Sequence, residues 1–199
     1  MKRFKTPRGA FFLLLAMGCV LLAYYLINAR IEKSKPEDYV PLSVVETVLS
    51  RNLTTNYPQT PKEVIKYYSE ITKCFYNEEW TEEELYALAM KAQELYDHDL
   101  IANKTQEEYL QDLKSEIQAF KDKDYYISSY GTSSSTDVYD FTKDGYQFAR
   151  LYCTYNIRVG TVMQQIEEIF LLRMDLDGHW KIYGWDLAEN HKQLQGGTK

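Results

Sequence analysis

The chain has 199 residues, 26% of them charged, with a net charge of −6 at pH 7 and three cysteines. Residues 1–35 hold seven basic and one acidic side chain, which leaves sixteen basic against twenty-eight acidic ones in residues 36–199, a net −12. A body so acidic repels phosphate backbones and argues against nucleic acid as a partner, its length is that of one domain with one core, and its cysteines are too few for a disulfide framework.

The chain opens on a basic tail, residues 1–9, with Lys2, Arg3, Lys5 and Arg8. From Ala10 to Ile27 no residue is charged. As a helix this run spans ~27 Å, close to the thickness of a bilayer's hydrocarbon layer, and Asn28 and Ala29 complete the crossing. Residues 10–29 are therefore predicted to be a single-pass membrane anchor. A cleaved signal peptide is the rival reading, but no small-x-small site follows, since Ile27 lies two places before Ala29 and Arg30 comes next. Ala16-Met17-Gly18-Cys19 resembles a lipoprotein box without its usual leucine. Four basic residues before the span outweigh Arg30, Lys33 and Lys35 set against Glu32 after it. Positive charge is retained on the cytoplasmic side, so the expectation is a cell-membrane protein with a cytoplasmic N-terminus and an extracytoplasmic domain.

Residues 30–57 read as a linker with a short helix: Pro36 and Pro41 break the chain, and Val45, Val48, Leu49 and Leu53 recur at helical spacing over residues 42–53. Three capping boxes follow. Thr60-Pro61-Lys62-Glu63 opens a helix with Val64, Tyr68, Ile71 and Phe75 on one face. Thr81-Glu82-Glu83-Glu84 opens one burying Leu85, Leu88, Ala89, Ala92, Leu95 and Tyr96, and Thr105-Gln106-Glu107-Glu108 one burying Tyr109, Leu110, Leu113, Ile117 and Phe120.

At Tyr125 the period changes to two, and β-branched and aromatic residues become dense. Strands are expected over Tyr125–Tyr130 and Val138–Phe141. A longer one after Asp144-Gly145 should turn Ala149, Leu151, Cys153, Tyr155, Ile157 and Val159 to the core. Gly160-Thr161 and Asp177-Gly178 mark two more hairpins, into strands through Ile166 to Met174 and His179 to Trp185. Helices grouped before hairpin-linked strands argue for an α+β domain over residues 58–188, with helices packed on a curved antiparallel sheet and a flexible tail at 189–199.

The closing pair Glu168-Ile169-Phe170-Leu171-Leu172-Arg173-Met174 and Trp180-Lys181-Ile182-Tyr183-Gly184-Trp185, joined by Asp-Gly, resembles the nuclear transport factor 2-like superfamily over roughly residues 58–188. With Pro58 to Asn77 added, the chain is similar to a membrane-anchored family of low-GC Gram-positive gut bacteria, a domain of unknown function. The resemblance implies a cone with a pocket between sheet and helices. Isomerase members of the superfamily use such a pocket to set an acidic base and tyrosine or acid donors against a carbonyl.

The residues themselves offer little chemistry. His98, His179 and His191 fall at a helix end, a turn and the tail, and Glu167 and Glu168 must point to opposite faces of their strand. Asp175-x-Asp177-Gly178 reads as a hairpin turn rather than a calcium loop, and Asp97-His98-Asp99 as surface chemistry rather than a metal site. There is no phosphate loop, nucleophile elbow or Cys-x-x-Cys, so no catalytic residue, metal or cofactor is assigned. Cys74 and Cys153 either pair in an oxidising compartment or remain two buried thiols.

Eighteen tyrosines are the unusual feature. Tyrosine joins a rigid apolar body to a polar tip, so Tyr68, Tyr125, Tyr152, Tyr155 and Trp185 are the candidate binding surface or pocket, against the plainer reading that they build the core and the sheet's outer face. The expected function is a non-enzymatic binding or scaffolding module with an envelope protein or small ligand as partner. The alternatives are an isomerase or dehydratase using a buried acid, and a structural subunit of a conjugation- or secretion-like envelope complex.

Overall fold

The computed structural model describes residues 41–190 together with Tyr24, which is helical and exposed. The remainder of the predicted span at 10–29, the basic tail, residues 30–40 of the linker, and residues 191–199 with His191 lie outside the described residues. No helix among the described residues is long and apolar enough to cross a membrane.

Over residues 41–190, five α-helices precede the sheet: α1 (Val44–Leu49), α2 (Pro61–Asn77), α3 (Glu82–Gln93), α4 (His98–Ile101) and α5 (Gln106–Lys121). Each of α1, α2, α3 and α5 starts at a complete capping box, on Ser43, Thr60, Thr81 and Thr105. In α2, for instance, the Glu63 N–H donates to Thr60 Oγ1 at 3.2 Å while the Glu63 carboxylate accepts from the Thr60 N–H at 3.3 Å, so two otherwise orphaned amides are satisfied. The helix expected over 42–53 is shorter than predicted. Ser50 closes it, and the Asn52 side chain accepts from the Thr54 and Thr55 amides, diverting the backbone into a turn. Leu53 is buried all the same.

The strands β1 (Tyr125–Thr132), β2 (Tyr139–Lys143), β3 (Tyr146–Val159), β4 (Val162–Met174) and β5 (Trp180–Leu187) form one antiparallel sheet in the order β1-β3-β4-β5. β1 pairs with the C-terminal half of β3 and β2 with its N-terminal half. Asp144 and Gly145 both take positive φ, 52° and 82°, the requirement of the tight β2–β3 turn. Bulges between Ile127 and Ser129 and between Leu171 and Leu172 add local twist and curve the sheet.

α2 lies across the concave face, and α3 packs against α2 and α1. Val64, Ile65 and Ile71 of α2, Leu85, Leu88 and Ala89 of α3, and Leu151, Phe170, Leu172 and Ile182 of the sheet are all essentially inaccessible. Burial of each large side chain in this set stabilises the fold by about 1.5–3 kcal/mol. The inward set predicted for β3, Ala149, Leu151, Cys153, Tyr155 and Ile157, is buried; Val159, at the strand's end, is only partly so. The α+β architecture of helices on a curved antiparallel sheet is thus what the alternation of periods anticipates. Cys74 and Cys153 are buried free thiols.

Leu95 and Tyr96 continue past α3 as backbone paired with the edge of β5. The Asp97 N–H donates to the Ile182 carbonyl and the Ile182 N–H to the Leu95 carbonyl, both at 2.8 Å, making a parallel bridge. Asp97 then caps α4. It is not the surface residue that its sequence suggests, being 2% exposed, with Arg173 Nε donating to its Oδ2 at 2.8 Å and Arg173 Nη2 to its Oδ1. The same guanidinium meets Asp99 at 2.9 Å and lies over the rings of Tyr146 and Tyr183, at 5.0 and 4.8 Å. Desolvating that cation demands paired anions and aromatic faces, and all are present. Asp175 is likewise a turn residue, its Oδ1 accepting from the amides of Asp177 and His179.

Candidate functional site

A partly open cleft lies between α2, α4, α5 and the concave face of the sheet. On α2, Tyr68, Thr72 and Tyr76 recur every four residues and so share one face. On α5, Tyr109, Leu113 and Glu116, spaced four and three apart, also share a face. Tyr96 enters from the segment held on β5, and Leu100 and Ile101 from α4. The floor is set by strand register: Leu151 faces Phe170, Cys153 faces Glu168 and Tyr155 faces Ile166 across β3 and β4, while Phe170 faces Trp185 across β4 and β5. Ile166, Glu168, Phe170 and Leu172 therefore form one inward row.

The result is a cleft of about 350 Å³ lined mainly by Tyr68, Phe75, Tyr76, Tyr96, Tyr109 and Trp185, with Lys104, Asp112 and Glu116 also on its wall. A second chamber of about 250 Å³ adjoins it across Tyr68, Thr72, Tyr76, Glu116 and Trp185, and ends on Tyr155, Ile157, Ile166 and Glu168. Apolar walls with a few convergent polar groups at this size are the usual anatomy of a small-molecule site.

Three phenols run through it in series. Tyr96 Oη donates to Tyr68 Oη at 3.3 Å, and the ring of Tyr109 meets that of Tyr96 edge-on at 6.2 Å. Burial raises the pKa of all three, so each stays a neutral phenol. Deeper in, Tyr155 Oη and Ser69 Oγ share a hydrogen bond of 2.9 Å, and Ser69 also touches Cys153 Sγ at 3.5 Å.

Glu168 is the exceptional group. Burial pushes its carboxyl up to about 7, and among the described residues no side chain donates to it or pairs with it. Glu116 on α5 is also raised by burial. A carboxyl poised near neutrality in an apolar cleft can hold a proton, release it or bind a cation.

Of the predicted site residues, Tyr68, Tyr155 and Trp185 meet in this space, with ring centroids of Tyr68 and Trp185 5.9 Å apart. Tyr125 does not line it; its ring packs edge-on against Phe120 at 5.3 Å. Tyr152 stands on the convex face beside a polar, open depression with Thr154, Gln165 and Glu167. Tyr96, Tyr109, Glu116 and Glu168 belong to the site although sequence reasoning passed over them. Glu168 shares its inward parity with Phe170 and Leu172, but the equally apolar Ile169 and Leu171 hide that parity in the sequence.

Two histidine-acid groups stand apart from the cleft. Asp97, His98 and Asp99 are committed to Arg173, and Asp175 and His179 to the last hairpin, where His179 stacks on Tyr57 at 4.2 Å.

No curated protein matches the chain. A family profile, Domain of unknown function (DUF6715), matches residues 1–185, and the chain belongs to that family.

Proposed function

We propose that this chain is a non-enzymatic binding module that takes a small, largely apolar ligand into the cleft between its helices and the concave face of its sheet, held at a membrane by residues 10–29 with the domain on the extracytoplasmic side. The cleft carries the reading: six aromatic side chains line one partly open space whose size suits a small organic molecule. The arrangement of helices on a curved sheet around an interior cleft also supports a nuclear transport factor 2-like cone. The uncharged run from Ala10 to Ile27 supports the anchor.

The binding test is a fragment library titrated against the full chain in detergent micelles, followed by tryptophan emission, with Tyr68→Ala as the control that opens the wall. Hits that compete with one another and weaken about tenfold or more in Tyr68→Ala are expected, each tenfold being about 1.4 kcal/mol. A library without a hit, or hits indifferent to that change, removes the reading. Its location is tested by adding protease to intact cells, where loss of the domain is expected and full protection would refute it.

One observation favours a second reading. Glu168, raised to about 7, faces the same space as the Tyr68 hydroxyl, the layout of a general base beside a hydrogen-bond donor. In that case the chain is an isomerase or dehydratase: Glu168 removes a proton next to a carbonyl while Tyr68 donates to its oxygen. Deuterium uptake beside the carbonyl of a cleft-bound ketone, abolished by Glu168→Gln, would decide for it.

A further inference from the structure

We infer that the ligand of this cleft is an organic cation, an amine or quaternary ammonium group on an apolar body; the inference rests on the binding reading above and narrows it.

The charged lining is one-signed where it matters. Glu168 rises from the sheet floor and Glu116 comes from the exposed rim on α5, and both line the second chamber. Lys104 is the one cation among the lining residues described, and it is engaged with Asp112 at 2.5 Å. An anion entering the chamber would meet two carboxylates with no compensating charge. A cation removes the cost of ionising Glu168 away from water.

The aromatic lining matches the same ligand. The rings of Tyr68, Tyr96 and Trp185 form a cluster with centroids 5.6–5.9 Å apart at the junction of the two chambers. Ring quadrupoles attract ammonium groups, most strongly where water is excluded, and indole is the best of them. Outside the cleft, the net −12 of residues 36–199 steers cations toward the domain.

A pH signature separates this ligand from a neutral one. Glu168 faces Tyr68 and Tyr76 of α2, Glu116 of α5, and Tyr155 and Cys153 of β3, while β1 and β5 contribute Ile127 and Trp185, which do not titrate. The phenols and the thiol are raised by burial and stay neutral throughout, Glu116 is raised by burial, and Glu168 changes charge as pH passes about 7. A cation binds the ionised form and tightens as pH rises through about 7; a neutral hydrogen-bond acceptor binds the protonated form and loosens.

The experiment is calorimetric titration of the full chain in uncharged detergent with benzyltrimethylammonium and with neopentylbenzene, its uncharged isostere, at about pH 5.5 and about pH 8. The cation is expected to bind about tenfold or more tighter than the isostere at the higher pH, to gain about tenfold between the two conditions, and to release protons on binding. Glu168→Gln should flatten the pH dependence and weaken the cation but not the isostere; Glu116→Gln, on the exposed rim, is the second variant should the first fail to fold. Equal or better binding of the isostere, or a cation affinity that falls with pH, overturns the inference and leaves the cleft a binding site. Binding of neither probe overturns both.

Discussion

Glu168 sets the chemistry of the domain at the scale of one residue, and its effect on folding follows from the direction of its shift. The folded-state pKa is raised from 4.5 to about 7, so the native protein holds a proton that the unfolded chain gives up between those values. Its contribution to stability is fully present below about 4.5 and lost as pH rises through about 7. Glu168→Gln is expected to raise stability by about 1–3 kcal/mol near pH 8, with little change near pH 4.5, read as the difference between urea melts. Arg173 presents the opposite case, a buried charge that is fully paired. Asp97→Asn should cost about 3 kcal/mol, because the guanidinium stays buried with part of its anion gone. The double change Asp97→Asn with Arg173→Met should cost less than the two single changes summed, measured as a double-mutant cycle.

Elements were legible where their ends carry chemistry. Thr60, Thr81 and Thr105, each followed three places on by glutamate, announce three helix starts, and all three are observed as complete boxes. Thr81→Ala should destabilise the domain by about 1 kcal/mol in thermal or urea melts, since it orphans the Glu84 amide. Gly178, at φ 81° with open space around it, should cost about 1 kcal/mol on change to alanine through backbone strain alone, with no packing change in a crystal structure. Other elements were silent. α4 has four residues, too few for a periodic pattern. The parity of β4 was hidden because Ile169 and Leu171 on the convex side are as apolar as Phe170 and Leu172 on the concave side. Without parity, which of Glu167 and Glu168 faces inward could not be read, and the central feature of the cleft went with it. Tyr96 was taken for the end of a helical stripe, whereas it is fixed by pairing with a strand eighty-odd positions later in the chain.

At the scale of the whole molecule the fold class followed from the order of periods, but the cleft did not, since it depends on how α5 stands off the sheet. One consequence of the closed core is testable directly. Cys74 and Cys153 are both inaccessible, and burial pushes the Cys74 thiol up to about 11. In the full chain both should react with a thiol reagent only as fast as the domain unfolds, and at one common rate at low denaturant. Early labelling of either would show a breach in the packing between α2 and β3.

The short splice of Leu95 to Asp97 onto β5 has a consequence for the protein's life at high local density. An unpaired outer strand is a template onto which a neighbouring chain can add its own, and such addition propagates without limit. Here both exchanged bonds at Ile182 are spent within the molecule, and the Asp97 side chain that follows is locked by Arg173, so the splice cannot easily peel away. Molecules crowded together on a surface would thus be guarded, over this part of the rim, against growing into fibres.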